Sequence, residues 1–234
     1  MIKVILHGAG RMSKAVYQAA SDREDVLIVA IAAPHQPDWL DSLPYFSSLE
    51  DIDISADVLV DFTLPEGTIN AAAWCARSNV AIVSGVTGLT DDALAALDEA
   101  GMDVPVLWSP NMSFGISLLN HFSAQLAAQL PRNTEVYIED IHHQWKKDAP
   151  SGTALYLGKA VEQGLAFPAE IHYESIREGE VIGQHEVTFK LPGETITLRH
   201  EAVDRNIFAN GAIEAAIWLG QQVPGRYTSA LHRS

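Results

Sequence analysis

His142, His143, Lys146 and Lys147 fall within six residues of one another, in the stretch Ile141-His142-His143-Gln144-Trp145-Lys146-Lys147-Asp148-Ala149-Pro150-Ser151-Gly152-Thr153-Ala154-Leu155. Imidazoles exchange protons near neutral pH, and ammonium groups both donate protons and attract carboxylates. The stretch then passes Asp-Ala-Pro and reaches Ser151-Gly152-Thr153, small residues of the kind that begin a helix. A Ser or Thr there caps backbone N–H groups, and those groups together with the helix dipole attract an anion. Proton donors, cations and an anion-binding turn in one segment suit a site that holds a carboxylate and moves a proton beside it. Taken alone, each pair also reads as a solvated loop before an ordinary helix cap. The rest of the chain decides between the two.

A second motif stands at the other end. Gly8-Ala9-Gly10-Arg11-Met12-Ser13 follows the β-branched, apolar run 2–7, and Ala15, Val16, Ala19 and Ala20 continue at helical spacing. Strand, glycine turn and helix form the context in which G-x-G-x-x-G binds a dinucleotide: the first glycine turns tightly, and the second lets the backbone approach the pyrophosphate. Ser13 fills the third position, small enough for close helix–strand packing. Arg11, at the mouth of the turn, is either a phosphate contact or solvated.

Elements able to position these motifs alternate along the first half. Strands are predicted at 26–32, 58–62, 80–83 and 104–108, with helices at 66–77 and 91–100 between the later ones. Unbroken apolar strands separated by amphipathic helices indicate a parallel sheet covered on both faces, whose ligands lie beyond the carboxyl ends of the strands. Those ends carry Thr63-Leu64-Pro65-Glu66-Gly67, Ser84-Gly85-Val86-Thr87-Gly88 and Ser109-Pro110-Asn111-Met112-Ser113. Such residues also serve ordinary turns, but three sets in register at one edge point to a cofactor-facing rim. After Asn111 the pattern changes. A helix from Ser113 to about Leu130, a strand at 135–142 and a helix at 151–163 precede three β-rich runs at 171–177, 181–191 and 195–202. Strands without intervening helices suggest a second, α+β domain. An apolar helix at 208–222, a Pro-Gly turn and a polar tail close the chain.

With 234 residues, 47% of them hydrophobic and 19% charged, the chain has material for a buried core in one large or two small domains. Its formal charge of −15 argues against a nucleic-acid phosphate binder, which needs a basic face. No apolar run approaches the ~20 residues of a membrane span, and the first residues read as a strand with no signal-peptide pattern. Cys75, the one cysteine, excludes an internal disulfide and fits a reducing cytoplasm. Its alanine-rich surroundings suggest a packed thiol. No metal-ligand spacing is present, since adjacent histidines and one distant cysteine do not make a zinc site.

Taken together, the motifs Gly8-Ala9-Gly10-Arg11-Met12, Asp61-Phe62-Thr63-Leu64-Pro65-Glu66-Gly67-Thr68, Gly85-Val86-Thr87-Gly88, Asn111-Met112-Ser113-Phe114-Gly115, 142–155 and Phe208-Ala209-Asn210-Gly211-Ala212 resemble the 4-hydroxy-tetrahydrodipicolinate reductase (dihydrodipicolinate reductase) family, in the family's order over nearly the whole chain. The block from His142 to Ala154 is the most specific. The resemblance implies a Rossmann-like dinucleotide-binding domain at 1–111 plus 209–234 and an α+β substrate-binding and oligomerisation domain at 112–208. It further implies NADH or NADPH as cofactor, a small dicarboxylate substrate and a homotetramer. It makes His142 the proton donor and acceptor, Lys146 the second proton donor, and His143, Gly152 and Thr153 substrate contacts. Gly8, Ala9, Gly10, Arg11, Met12, Thr63, Gly85, Val86, Thr87, Ser109, Pro110, Asn111 and Met112 would line the cofactor.

Three features depart from the family's pattern. Ser13 stands where many members have glycine, the chain is short, and Ala32-Ala33-Pro34-His35 offers no acid after the second strand. Without that acid or an arginine, the chain carries no evident device for choosing NADH over NADPH. Two other classes share parts of the pattern. A different small Rossmann oxidoreductase, of the amino-acid or aspartate dehydrogenase kind, shares the glycine turn and not the block from His142 to Thr153. A non-catalytic NAD(P)-binding protein would need no aligned proton donors.

Overall fold

Apolar strands and amphipathic helices alternate through the first half of the chain in the computed structural model, which describes residues 1–40 and 42–227. The chain forms two compact units: Met1–Ser113 together with the chain from Asn206 onward, and Phe114–Arg205.

In the first unit, β1 (Ile2–His7), β2 (Val26–Ala32), β3 (Tyr45–Phe46), β4 (Val58–Asp61), β5 (Ala81–Ser84), β6 (Pro105–Trp108) and, near the end of the chain, β11 (Gly225–Tyr227) make a seven-stranded sheet. The strands pair in parallel in the order β11-β6-β5-β4-β1-β2-β3. Helices α1 (Arg11–Ala20), α2 (Pro65–Ser78), α3 (Asp91–Ala100) and α6 (Asn206–Leu219) flank it. Alternation along each strand divides the apolar residues between two cores. Val4, Leu6, Val60 and Val83 pack with Val16 of α1 and Ile213 and Ala216 of α6, whereas Ile5, Leu59, Ile82 and Val106 pack with Ala71 and Cys75 of α2 and Leu97 of α3. A side chain fully buried in these layers contributes roughly 1.5–3 kcal/mol by leaving water. The strand order reverses between β1 and β4, the place where such sheets bind ligands at their carboxyl edge.

Local chemistry sets the helix ends around that edge. Pro65 opens α2, where its missing N–H costs nothing, and Asn79 closes it in the left-handed region at φ 55°. Thr90 caps α3 by accepting from the Ala93 N–H, with Asp91 and Asp92 in the first turn against the helix dipole. By contrast, α1 starts at Gly10 with no side-chain cap and no acid in its first turn.

The second unit holds α4 (Phe114–Ala127), β7 (Glu135–His142), α5 (Gly152–Gly164), β8 (Ile171–Arg177), β9 (Gly183–Leu191) and β10 (Glu194–Ala202). Its sheet runs β10-β9-β7-β8, with β7 and β8 parallel across α5 and the other pairs antiparallel. Ile116, Leu119, Leu157 and Val161 of the two helices close over Val136, Ile138, Val187 and Phe189 of the sheet. On β7 the buried positions are Val136, Ile138, Asp140 and His142, one face at a period of two. The apolar face of this strand therefore runs out into a carboxylate and an imidazole.

The first half is a Rossmann-like parallel sheet and the second an α+β unit, as the residue pattern predicts. Several elements differ from expectation. β3 and β11 are two and three residues long, too short to show a period, and β11 starts at the glycine of the expected Pro-Gly turn and runs into the expected polar tail. The α4 helix ends at Ala127 and not near Leu130: the N–H groups of Gln129 and Leu130 bond back only three residues, to Leu126 and Ala127, so the chain tightens out of the α-helix before Pro131. The polar tail beyond Tyr227 lies outside the described residues. No helix among the described residues is long and apolar enough to cross a membrane.

Candidate active site

His142 ends β7 with its side chain 10% exposed, and Asp140, two residues earlier on the same face, is fully buried beside it. The Nδ1 of His142 lies 2.9 Å from Asp140 Oδ1. An ionised carboxylate can only accept, so Nδ1 carries the hydrogen and Nε2 is left for proton exchange. Gly183 keeps that nitrogen clear, since a Cβ there would come within 3.3 Å of Nε2.

Asp140 is the hub of the cluster. It accepts from Ser175 Oγ at 2.6 Å and from the Ser151 N–H at 3.2 Å, and it pairs with Arg177 Nη1 at 2.8 Å. Burial alone would raise its pKa, but His142, Ser175, the Ser151 N–H and Arg177 outweigh that and hold it well below the usual carboxylate range. Through these bonds one carboxylate ties together the end of β7, the start of α5 and β8. Arg177 also donates to the Asp148 carbonyl at 2.6 Å, which anchors the loop after the histidines.

Around the hub stand the other expected residues of this unit. Lys146 pairs with Asp148 at 2.7 Å and is 23% exposed, whereas Lys147 is exposed. His143 has a buried Nδ1 with no hydrogen-bond partner, and burial, then the positive charge of Arg205, Lys146 and Arg177 and the neighbouring His142, lowers its pKa. Ser151 caps α5 by accepting from the Ala154 N–H at 3.1 Å. Gly152 opens the helix with nothing within 4 Å of where a Cβ would sit, and Thr153 follows it half-buried. The structure thus brings His142, His143, Lys146, Gly152 and Thr153 to one end of the sheet.

His185 is a member of the cluster that sequence reasoning missed. Its Nε2 lies 3.3 Å from Ser151 Oγ, and its ring meets His142 edge-on with centroids 5.0 Å apart. Burial first, and then the neighbouring His142, pushes its pKa from 6.5 down to about 3. A group whose folded pKa lies below its unfolded value binds fewer protons when folded, so stability falls as pH drops from 6.5 toward 3. The melting temperature should therefore fall between pH 7 and pH 5, and less steeply in His185→Gln. Because His143 and His200 are shifted in the same direction, part of the slope should remain. Equal slopes in the two proteins would show that His185 does not carry this effect.

The first unit holds a cleft of about 750 Å³ at the carboxyl ends of β1, β2 and β4. His7, Gly8, Ala9, Ala32, Ala33 and Thr63 line it, as do Ser48, Glu50 and Arg77. Gly8 has φ +100°, a conformation that L side chains avoid, and a Cβ there would press within 3.0 Å of the Phe62 carbonyl. The uncapped start of α1 follows directly, so its N–H groups meet no side-chain acceptor of the cap. These are the features a pyrophosphate needs: a tight turn, backbone donors and a helix whose first turn carries no acid. The donor set fits a dinucleotide.

Of the expected cofactor residues, Gly8, Ala9 and Thr63 line that cleft. Gly10, Arg11 and Met12 form the start of α1. Gly85, Val86 and Thr87 follow β5, and Ser109, Pro110, Asn111 and Met112 follow β6, outside the residues lining the cleft. Behind the rim lies a buried polar group that sequence reasoning missed. Asp61 accepts from Thr63 Oγ1 at 2.6 Å, Thr68 Oγ1 at 2.7 Å and Ser84 Oγ at 3.1 Å, and lies 3.1 Å from His7 Nδ1. Cys75 is buried and its thiol is pushed well above its usual range by that burial, which leaves it a packing group.

Residues 2–112 match the family model for dihydrodipicolinate reductase, N-terminus, and residues 115–230 match the one for dihydrodipicolinate reductase, C-terminus. A 4-hydroxy-tetrahydrodipicolinate reductase of Stenotrophomonas maltophilia (strain K279a) is 40% identical over 232 residues, covering 97% of this chain and 95% of the relative. Among solved structures, a dipicolinate-bound dihydrodipicolinate reductase from Paenisporosarcina sp. TG-14 matches with a TM-score of 0.82 and 26% identity over 98% of each chain. An amine dehydrogenase from Mycobacterium smegmatis matches with a TM-score of 0.67 at 12% identity, over 97% of this chain and 94% of that one, a likeness of fold alone.

Proposed function

The chain belongs to the dihydrodipicolinate reductase family, and on that footing we propose how its residues carry the family's reaction: reduction of 4-hydroxy-tetrahydrodipicolinate with a nicotinamide nucleotide, in lysine and diaminopimelate synthesis. The observation that carries the assignment is the buried Asp140–His142 pair beside Lys146 and the start of α5. The relative with dipicolinate bound supports a small dicarboxylate as substrate.

The substrate is a hydroxylated cyclic imine that loses water to give a conjugated imine. The residues of the first unit would hold NADH or NADPH, which would supply the hydride for its reduction. Gly152 and Thr153 hold one carboxylate against the start of α5, where backbone donors and the helix dipole favour an anion. His143 is a substrate contact. His142 moves a proton at Nε2, oriented by Asp140 at Nδ1, and the carboxylate stabilises the imidazolium whenever it forms. Lys146 supplies the second proton and offsets negative charge that develops toward the ring nitrogen. Basic groups gathered here in a chain of charge −15 make the site a local attractor for a dianion.

On the cofactor side, Gly8, Ala9, Gly10, Arg11 and Met12 hold the pyrophosphate, with Thr63, Gly85–Thr87 and Ser109–Met112 along the rest of the rim. Both NADH and NADPH serve, with kcat/KM values within about tenfold, a gap of roughly 1.4 kcal/mol. The active form is a homotetramer in the cytoplasm. Its contact surface is the sheet face of the second unit that α4 and α5 leave uncovered, where Tyr137, Glu139 and Ile141 alternate with the buried residues of β7.

A coupled assay tests the whole reading. Freshly made product of the preceding synthase, added to the protein with NADH or NADPH, should give loss of absorbance at a rate proportional to protein. Oxaloacetate with ammonia should give none. Turnover of the second substrate and not the first would move the chain to the amino-acid dehydrogenase class. Nucleotide binding without turnover of either would make it a non-catalytic binder.

A further inference from the structure

We propose that Glu50 and Arg77, facing each other at the cleft of the first unit, set the choice between NADH and NADPH. The inference rests on reading that cleft as the adenosine end of the dinucleotide site. In sheets of this strand order, the acid that binds the ribose 2′-hydroxyl follows the second strand, beside the glycine turn. Here Ala32 and Ala33 are buried, Pro34 is apolar, and His35 is exposed and outside the lining. The missing charge arrives from another element. β3 pairs with the end of β2, and the Ala33 N–H donates to the Phe46 carbonyl at 3.1 Å. This brings Ser47, Ser48 and Glu50 to the wall of the cleft beside Ala33 and Pro34. Ser48 then caps the short turn Leu49–Asp51 by accepting from the Glu50 N–H, which fixes the backbone of Glu50.

Across from it, the last turn of α2 presents Arg77, whose Nη2 bonds Glu50 Oε1. The two side chains are 69% and 57% exposed, so the pair is loosely held and either partner is free to exchange it for a ligand. A carboxylate accepts from ribose hydroxyls and repels a 2′-phosphate, whereas a guanidinium binds that phosphate in a bidentate grip. While paired, the two charges offset each other, so neither nucleotide should be strongly excluded.

Dissociation constants of NADH and NADPH, measured by calorimetry on the full chain, test this independently of turnover. Glu50→Gln should shift the ratio toward NADPH by about tenfold, and Arg77→Gln toward NADH by about tenfold, the scale of one unit charge acting on a phosphate near a protein surface. The double variant should return close to the parent ratio. Single variants that move the ratio in the same direction, or leave it within about twofold, overturn the inference. A parent protein that binds neither nucleotide overturns the dinucleotide reading along with it, whereas tight binding with an unresponsive ratio overturns this inference alone. Both positions are exposed, so unchanged melting temperatures should accompany the shifts.

Discussion

His142→Gln should lower kcat by roughly 100-fold or more, the scale of a positioned general acid–base group, while the fold and substrate affinity stay close to those of the parent. Glutamine fills a similar space and can still donate to Asp140 through its amide, so the buried carboxylate keeps a partner. What the amide cannot do is take up and release a proton at the place of Nε2. The loss should therefore fall on kcat and leave KM little changed. Asp140→Asn should act in the same direction, because it leaves the imidazole in place but turns one carboxylate oxygen into an amide donor, so that the tautomer is no longer fixed, and removes the charge that stabilises its cation. The downfield Nδ1 proton resonance of His142 should vanish in that variant. Near-normal kcat in His142→Gln, with an unchanged melting temperature and circular dichroism, would remove His142 from the chemistry.

Much of this site is legible in the sequence because it lies on regular elements. A period of two along residues 135–142 puts Val136, Ile138, Asp140 and His142 on one face. The same rule that finds the strand would have found Asp140, since a carboxylate two residues before a histidine on a strand must share its side. Arg177 and His185 are different. They reach the cluster through pairings of β8 and β9 with β7, Arg177 opposite His142 and His185 opposite Asp140. Strand register across more than thirty residues leaves no local trace in one sequence. The cleft of the first unit follows the same logic. Glycine turn and helix are local and readable, whereas Glu50 and Arg77 meet only because a two-residue strand, too short to show a pattern, pairs with β2. Asp61 stood in plain sight at the end of its strand, but its partners Ser84 and His7 come from the neighbouring strands.

Lys146 and Lys147 give the second large effect, as a contrast between adjacent residues. Lys146→Ala should cut kcat/KM by on the order of 100-fold, while Lys147→Ala should stay within about threefold of the parent. The two ammonium groups are chemically identical, so only placement can separate them. Lys146 is three-quarters covered and held by Asp148 Oδ2 at 2.7 Å, next to the histidines, whereas Lys147 is exposed. An exposed cation contributes little beyond a screened field. Alanine at position 146 also removes the salt bridge to Asp148, so loop collapse is the competing explanation for any loss. That explanation is weak here, because the Asp148 carbonyl is held by Arg177 Nη2 and the Lys146 N–H donates to the His143 carbonyl through the backbone. Lys146→Arg separates the two accounts. It keeps a cation able to pair with Asp148 but cannot give up a proton at neutral pH, so the loop should stay ordered while kcat remains low and substrate affinity recovers. If Lys146→Arg restores full kcat, Lys146 acts as a charge only. If the two alanine variants fall equally, or in the reverse order, the substrate-facing lysine is not Lys146.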